Sequence, residues 1–141
     1  MALEPIISVA AATAHLDNLD TLLGTGATLT IYAGTVPANC AAAAGTALAV
    51  MTAAGQMFAA ATSVDNTEAT MDLTGALSDT SADATGTAAY FRLATSGGTV
   101  VHQGTVDTAG ADLNLSTTSI TLGDTVTVSA LTLTQPTGAS S

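Results

Sequence analysis

The chain has 141 residues and a formal charge of −10, because eleven Asp and Glu residues oppose a single cation, Arg92. Neutralising phosphate groups takes several Lys or Arg side chains, so we expect neither a nucleic-acid partner nor docking on an anionic membrane. Only 9% of the residues are charged and 3% are aromatic, with no Trp. We therefore expect one domain with a thin core of Leu, Val and Ile, whose burial neighbouring subunits complete.

Residues 1–24 are predicted to form an N-terminal arm followed by one helix. Apolar residues recur at helical spacing over residues 8–23, Ser8 suits the N-cap and Gly24 suits the C-terminal end. The arm before this helix contains Pro5 and lacks the basic start of a signal peptide, so we expect a protein made and assembled in the cytoplasm.

Residues 25–135 are predicted to form a β domain, because the apolar period changes from helical to alternating after Gly24. Residues 136–141 then form a C-terminal tail, since Pro136 cannot donate a ladder hydrogen bond. Strands are predicted at residues 28–33, 46–51, 69–73, 87–94, 99–106, 119–122 and 125–129, the last of which can continue through residue 134.

Two short turns predict β-hairpins. Gly97-Gly98 separates two alternating runs, and Gly123-Asp124 separates two more, in a sequence that suits a type II′ turn. About seven or eight short strands separated by turns predict an all-β fold, either an antiparallel sandwich or a barrel.

No group of side chains with catalytic spacing stands out. Cys40 has only His15 and His102 as possible bases, and its alanine-rich surroundings favour a small buried hydrophobe. The acidic segments 65–68 and 79–83 do not match the spacing of a calcium loop, so we interpret them as solvated turns; a weak cation site between subunits is the alternative. We predict no catalytic residue, cofactor or metal site.

Arg92 lies within the predicted strand 87–94, on the same face as Tyr90 because strand side chains alternate. Eleven carboxylates and one guanidinium favour a structural ion pair, either within the chain or across a subunit boundary. The alternative is a surface arginine stacked on Tyr90.

Five segments carry a resemblance to a known family over most of residues 28–134. The segments are Leu29-Thr-Ile-Tyr-Ala-Gly-Thr-Val-Pro37, Gly45-Thr-Ala-Leu48, Gly86-Thr-Ala-Ala-Tyr-Phe-Arg-Leu93, Gly97 with Val101-His-Gln-Gly104, and Ile120-Thr-Leu-Gly-Asp-Thr-Val126. On these segments the chain resembles small virion structural proteins of tailed bacteriophages, which implies a structural component of the particle and supplies no catalytic residue.

The resemblance and the charge together favour a capsid decoration (cement) protein on the outer surface of the head. Its expected partners are the major capsid protein and copies of itself, as a trimer. We expect an inter-subunit arm formed by Leu3, Pro5, Ile6 and Ile7. A tail component, such as a tube, collar or fibre subunit, is the alternative. A carbohydrate- or cation-binding β-module is a third hypothesis, against which the absence of Trp counts.

Overall fold

The computed structural model describes residues 5–63 and 65–138, which form one helix and eleven strands. The predicted all-β fold with a single helix is confirmed, and the strands outnumber the seven or eight that the sequence predicted. Several of the additional strands have only two or three residues, too few to produce a visible alternation. The elements are α1 (Val9–Leu23), β1 (Thr28–Ala33), β2 (Thr46–Thr52), β3 (Thr62–Ser63), β4 (Glu68–Asp72), β5 (Leu77–Asp79), β6 (Gly86–Ala94), β7 (Val100–Asp107), β8 (Leu113–Asn114), β9 (Ser119–Ile120), β10 (Val126–Val128) and β11 (Thr132–Pro136).

Helix α1 begins and ends at the residues that the sequence indicated. The Ser8 side chain accepts a hydrogen bond from the Ala11 backbone N–H at 3.0 Å, which satisfies one of the free amides of the first turn. Gly24 ends the helix with a φ of 69°, a conformation that glycine adopts without strain. Among the described residues no helix has the length and apolar character needed to cross a membrane.

The strands form three sheets around a shared core. Six strands make the main sheet, in the order β2-β1-β6-β7-β8 with β9 paired to β6, and all its pairings are antiparallel except β7 with β8. Strands β11, β4 and β3 form a second sheet, against which α1 packs, and β10 pairs with β5. One contiguous cluster of buried side chains joins the helix and both larger sheets, including Leu16, Phe91 and Met71.

The hairpin predicted around Gly97-Gly98 is confirmed. Strands β6 and β7 pair directly, and the Gly98 N–H donates to the Thr95 carbonyl at 2.9 Å. Gly98 has a φ of 92°, which a side chain would disfavour.

The second predicted hairpin is wrong, although its turn forms. The Asp124 N–H donates to the Thr121 carbonyl at 2.9 Å, but β9 pairs with β6 and β10 pairs with β5. The two turn residues bond instead to Ala82. The Ala82 N–H donates to the Asp124 carbonyl, and the Ala82 carbonyl accepts from the Gly123 N–H. Contacts distant in sequence therefore separate the two arms.

The outer edge of β2 is closed by a neighbouring acidic segment. The Val50 N–H donates to Oδ2 of Asp79 at 2.9 Å, and the Asp83 N–H donates to the Leu48 carbonyl at 2.8 Å. A carboxylate that occupies an edge amide prevents another strand from pairing there. The segment 79–83 therefore protects the edge of the sheet, a role that the prediction of a solvated turn did not include.

The two ends of the described chain lie against each other. The Ile7 N–H donates to the Thr137 carbonyl at 2.9 Å, and the Thr137 N–H donates to the Thr67 carbonyl at 2.8 Å. Within the predicted inter-subunit arm, Leu3 lies outside the described residues, Pro5 and Ile6 are exposed, and Ile7 packs against the core of its own chain. Contact of this arm with another subunit stays a prediction.

Gly104 gives the first test of the core packing. A Cβ at this position would lie 2.7 Å and 2.9 Å from two ring atoms of Phe91, its cross-strand neighbour, and 3.0 Å from Cβ of Asp112. We therefore expect Gly104→Ala to lower the free energy of unfolding by about 1–3 kcal/mol, measured by urea denaturation.

Gly55→Ala is the matched control, because a Cβ at Gly55 meets no atom within 4 Å. We expect this variant to change stability by less than about 0.5 kcal/mol. Equal stability of the Gly104→Ala variant and the wild type would contradict the packing of Phe91 on β7.

Candidate functional site

Residues 34–45, which connect β1 to β2, lie over one face of the main sheet, and we call this segment the strap. Along β6 the side chains alternate between two faces, and Phe91 and Leu93 belong to the core cluster. Tyr90 and Arg92 therefore lie on the opposite face. Their side chains bond to the strap, which covers this face of the sheet.

The Arg92 guanidinium forms three hydrogen bonds, two of them to the strap. Its Nη2 donates to the Ala42 carbonyl at 2.8 Å and to the Asn39 carbonyl at 3.2 Å, and its Nε donates to Oε1 of Gln103 at 3.2 Å. The Arg92 residue is only 4% exposed. A buried guanidinium needs such partners, because an unsatisfied buried charge is costly.

Gln103 extends this network to the start of the strap. It is the cross-strand partner of Arg92, so both side chains lie on the same face of the sheet. Its Nε2 donates to the Pro37 carbonyl at 2.7 Å. One side-chain amide therefore accepts from the arginine and donates to the strap.

The middle of the strap is shaped by its own side chain. Oδ1 of Asn39 accepts from the backbone N–H groups of Ala41 and Ala42, at 3.0 Å and 2.9 Å. Such a turn is typical of Asn. This turn sets the path of the main chain between Asn39 and Ala42, whose two carbonyls bind Arg92.

A pair of tyrosines supports the far end of the strap. The Tyr90 hydroxyl accepts a hydrogen bond from the Gly45 N–H at 2.7 Å. The rings of Tyr90 and Tyr32 stack, with centroids 5.0 Å apart and planes 10° from parallel. A Cβ at Gly45 would lie 2.7 Å from the Ala33 carbonyl oxygen, so glycine is needed where the strap meets β2.

Within residues 5–63 and 65–138 Arg92 has no ion pair, although we expected one within the chain. Among the described residues all its hydrogen-bond partners are uncharged, and its burial also overturns the alternative of a surface arginine. The physical reason is the segment that covers it, since residues 21–64 contain no Asp or Glu. Main-chain carbonyl oxygens, which carry a partial negative charge, accept the hydrogen bonds of the guanidinium instead. An ion pair across a subunit boundary stays a prediction.

This uncharged segment gives the molecule a neutral surface. Residues 21–64 contain no Asp, Glu, Lys, Arg or His and include the strap, β1 and β2, whereas the acidic residues belong to other parts of the chain. Most exposed side chains of the strap are small. The larger exposed apolar side chains are Val36 in the strap, which is 38% exposed, and Val50 in β2, which is 40% exposed. We call the exposed side of the strap the neutral face; β2 is left out of it because the Asp79 carboxylate bonds to the Val50 N–H at its outer edge.

Most acidic side chains accept hydrogen bonds from backbone amides. Asp17 accepts from the Ala61 N–H at 2.8 Å, and Asp20 accepts from the Phe58 N–H at 3.3 Å and from Nε2 of Gln56 at 3.0 Å. Burial raises the pKa of Asp20, and these two bonds oppose that shift. The helix carboxylates therefore fix the chain segment that leads into β3.

The remaining chemically reactive residues are not brought together. Cys40 lies partly buried in the strap, His15 is exposed on α1, and His102 lies on β7. Within residues 5–63 and 65–138 no group of three or more His, Cys, Asp or Glu could hold a metal ion. Asp65 serves a turn: its Oδ1 accepts from the Thr67 N–H and hydroxyl, which lowers its pKa.

One open groove of the described structure is lined by small side chains. It has a volume of about 450 Å³ and lies beside β6, β7 and the loop after β7. Its lining includes Thr87, Ala89, Thr105 and Gly110, one carboxylate from Asp107, and no aromatic ring. Such a lining lacks the stacking platform that the carbohydrate-binding hypothesis needs.

Comparison of the chain with protein-family models, curated proteins and solved structures gave no match.

His102 makes the stability depend on pH. Burial lowers the pKa of its imidazole, and the nearby Asp112 carboxylate partly opposes this. The imidazole of the unfolded chain therefore binds its proton more tightly than that of the folded chain. The free energy that neutral His102 contributes to stability is fully present above pH 6.5 and is lost as the pH falls through the lowered pKa. We expect His102→Gln to reduce the fall in unfolding free energy between about pH 7.5 and pH 5.

Urea denaturation across this pH range measures the effect. His15→Gln is the control, because it makes the same exchange of an imidazole for an amide at an exposed position on α1. If the His102→Gln variant and the wild type had parallel profiles, the burial of the imidazole would be refuted.

Proposed function

We propose that the protein is a non-enzymatic virion structural protein, a capsid decoration (cement) protein that binds the outer surface of a phage head. The neutral face is the observation that carries this proposal, together with the resemblance of five strand and turn segments to phage virion proteins. The proposed partners are the major capsid protein and further copies of this chain.

The distribution of charge supports assembly into a repeating array. Each copy carries a formal charge of −10, so contacts between acidic surfaces of adjacent copies are opposed by like-charge repulsion. Contact through a face without carboxylates avoids that repulsion and the cost of burying charge. The strap can thus meet a neighbour while the acidic surfaces stay in water.

The side chains of the neutral face also suit an interface formed many times in one particle. Ala, Gly and Thr lose little side-chain entropy when they are buried, and Val36 adds apolar area. A ligand that binds only the assembled lattice stabilises that lattice by mass action. This is how a decoration protein would reinforce a head.

Copy number in purified particles tests the proposal directly. A decoration protein should be present at a copy number similar to that of the major capsid protein, measured by quantitative gel analysis. Heads without it should rupture at a lower temperature. A few copies per particle would contradict decoration and would support the tail alternative.

A matched pair of variants tests the neutral face. We expect Ala43→Asp, which places a charge on the exposed strap, to lower the occupancy of heads at least about tenfold, because a buried unpaired carboxylate costs more than 1.4 kcal/mol. Ala109→Asp adds the same charge at an exposed position between Asp107 and Asp112 and should leave occupancy unchanged. Equal loss in both variants would mean that net charge, and not this face, controls binding.

A further inference from the structure

The strap is attached to the sheet without a buried side chain of its own. Between Gly34 and Gly45 every residue is exposed or partly exposed. The side chains in its centre are those of Ala, Asn and Cys, which offer little apolar area. Hydrophobic burial therefore contributes little to holding this segment in place.

Polar contacts from three sheet residues hold the strap instead. Arg92 binds two of its carbonyls, Gln103 binds a third, and the Tyr90 hydroxyl binds the Gly45 N–H. Arg92 and Gln103 also bond to each other, so the loss of one weakens the placement of the other. The contacts therefore form one connected set.

The rest of the fold does not depend on these contacts. The core cluster lies on the other face of β6, where Phe91 and Leu93 point, and it contains neither Tyr90 nor Arg92. The backbone pairing of β1, β2, β6 and β7 involves no residue of the strap. Water can also solvate the released guanidinium, which offsets part of the lost bonding.

We propose that the strap, residues 34–45, opens from the sheet as one local unit while the β fold stays intact, and that Arg92 and Gln103 together hold it closed. Opening uncovers the Tyr90 and Gln103 side chains and increases the exposure of Cys40, which is partly buried in the closed strap. The inference rests on the contacts of this chain alone and stands or falls independently of the proposed virion role.

Amide hydrogen exchange of Gly45 is the main test, with labelling of the Cys40 thiol by a soluble disulfide reagent as the second readout. A local opening exposes little surface, so both rates in the full-length protein should be nearly independent of urea at low concentration. Amides in β1 and β6 should exchange much more slowly and with a steep urea dependence, because they require global unfolding.

Arg92→Met tests one of the two residues that hold the strap. We expect it to accelerate Gly45 exchange and Cys40 labelling by at least about tenfold, since bonds to a charged group are among the stronger ones. Arg92 does not bond to Gly45, so acceleration there reports opening of the whole unit. Gln103→Met, which removes the Pro37 bond, should act in the same direction and serves if Arg92→Met fails to fold.

Leu133→Ala is the control, because Leu133 is buried in β11, away from the strap contacts. It should accelerate exchange in β1 and β6 and leave Gly45 unchanged. The proposal would be overturned if Gly45 exchanged with the same urea dependence as β1 and β6. It would also fail if the Arg92 and Gln103 variants left both strap rates unchanged.

Discussion

The burial of Arg92 beneath residues 34–45 is the constraint that organises one side of this molecule. A guanidinium must keep hydrogen-bond partners when it leaves water, and here carbonyls of Asn39 and Ala42 and the Gln103 side chain provide them. The strap consequently follows one path over β6 and β7. Because the strap contributes no charge, the surface above the single cation of the chain is neutral.

The other side of the fold depends on apolar packing and on carboxylates that bind backbone amides. Leu16 of α1, Phe91 of the main sheet and Met71 of the second sheet belong to one buried cluster. Asp17 and Asp20 connect the helix to the segment before β3, and Asp79 closes the edge of β2. The acidic side chains thus stabilise segments outside the strap. The strap itself therefore stays uncharged, and the proposed assembly role depends on this separation of acidic and neutral surfaces.

Local sequence signals predicted the parts of the fold that local interactions decide. The caps of α1, the alternation in β1 and β6, and the Gly97-Gly98 turn each depend on residues close in sequence. Pairing of β9 with β6 and of β10 with β5 depends on distant contacts, so the turn at Gly123-Asp124 was predicted and its strand partners were not. The sequence predicted an ion pair for Arg92, whereas its partners among the described residues are carbonyls and an amide, which have no sequence signature.

The central claim is that Arg92 and Gln103 act together to hold the strap, and a double-mutant cycle measures this most directly. The unfolding free energies of the wild type, Arg92→Met, Gln103→Met and the double variant give the coupling between the two side chains. The account predicts a coupling energy of about 0.5–3 kcal/mol, the range for residues in one hydrogen-bond network. The account would be contradicted if the effects of the two single variants summed to the effect of the double variant to within about 0.3 kcal/mol.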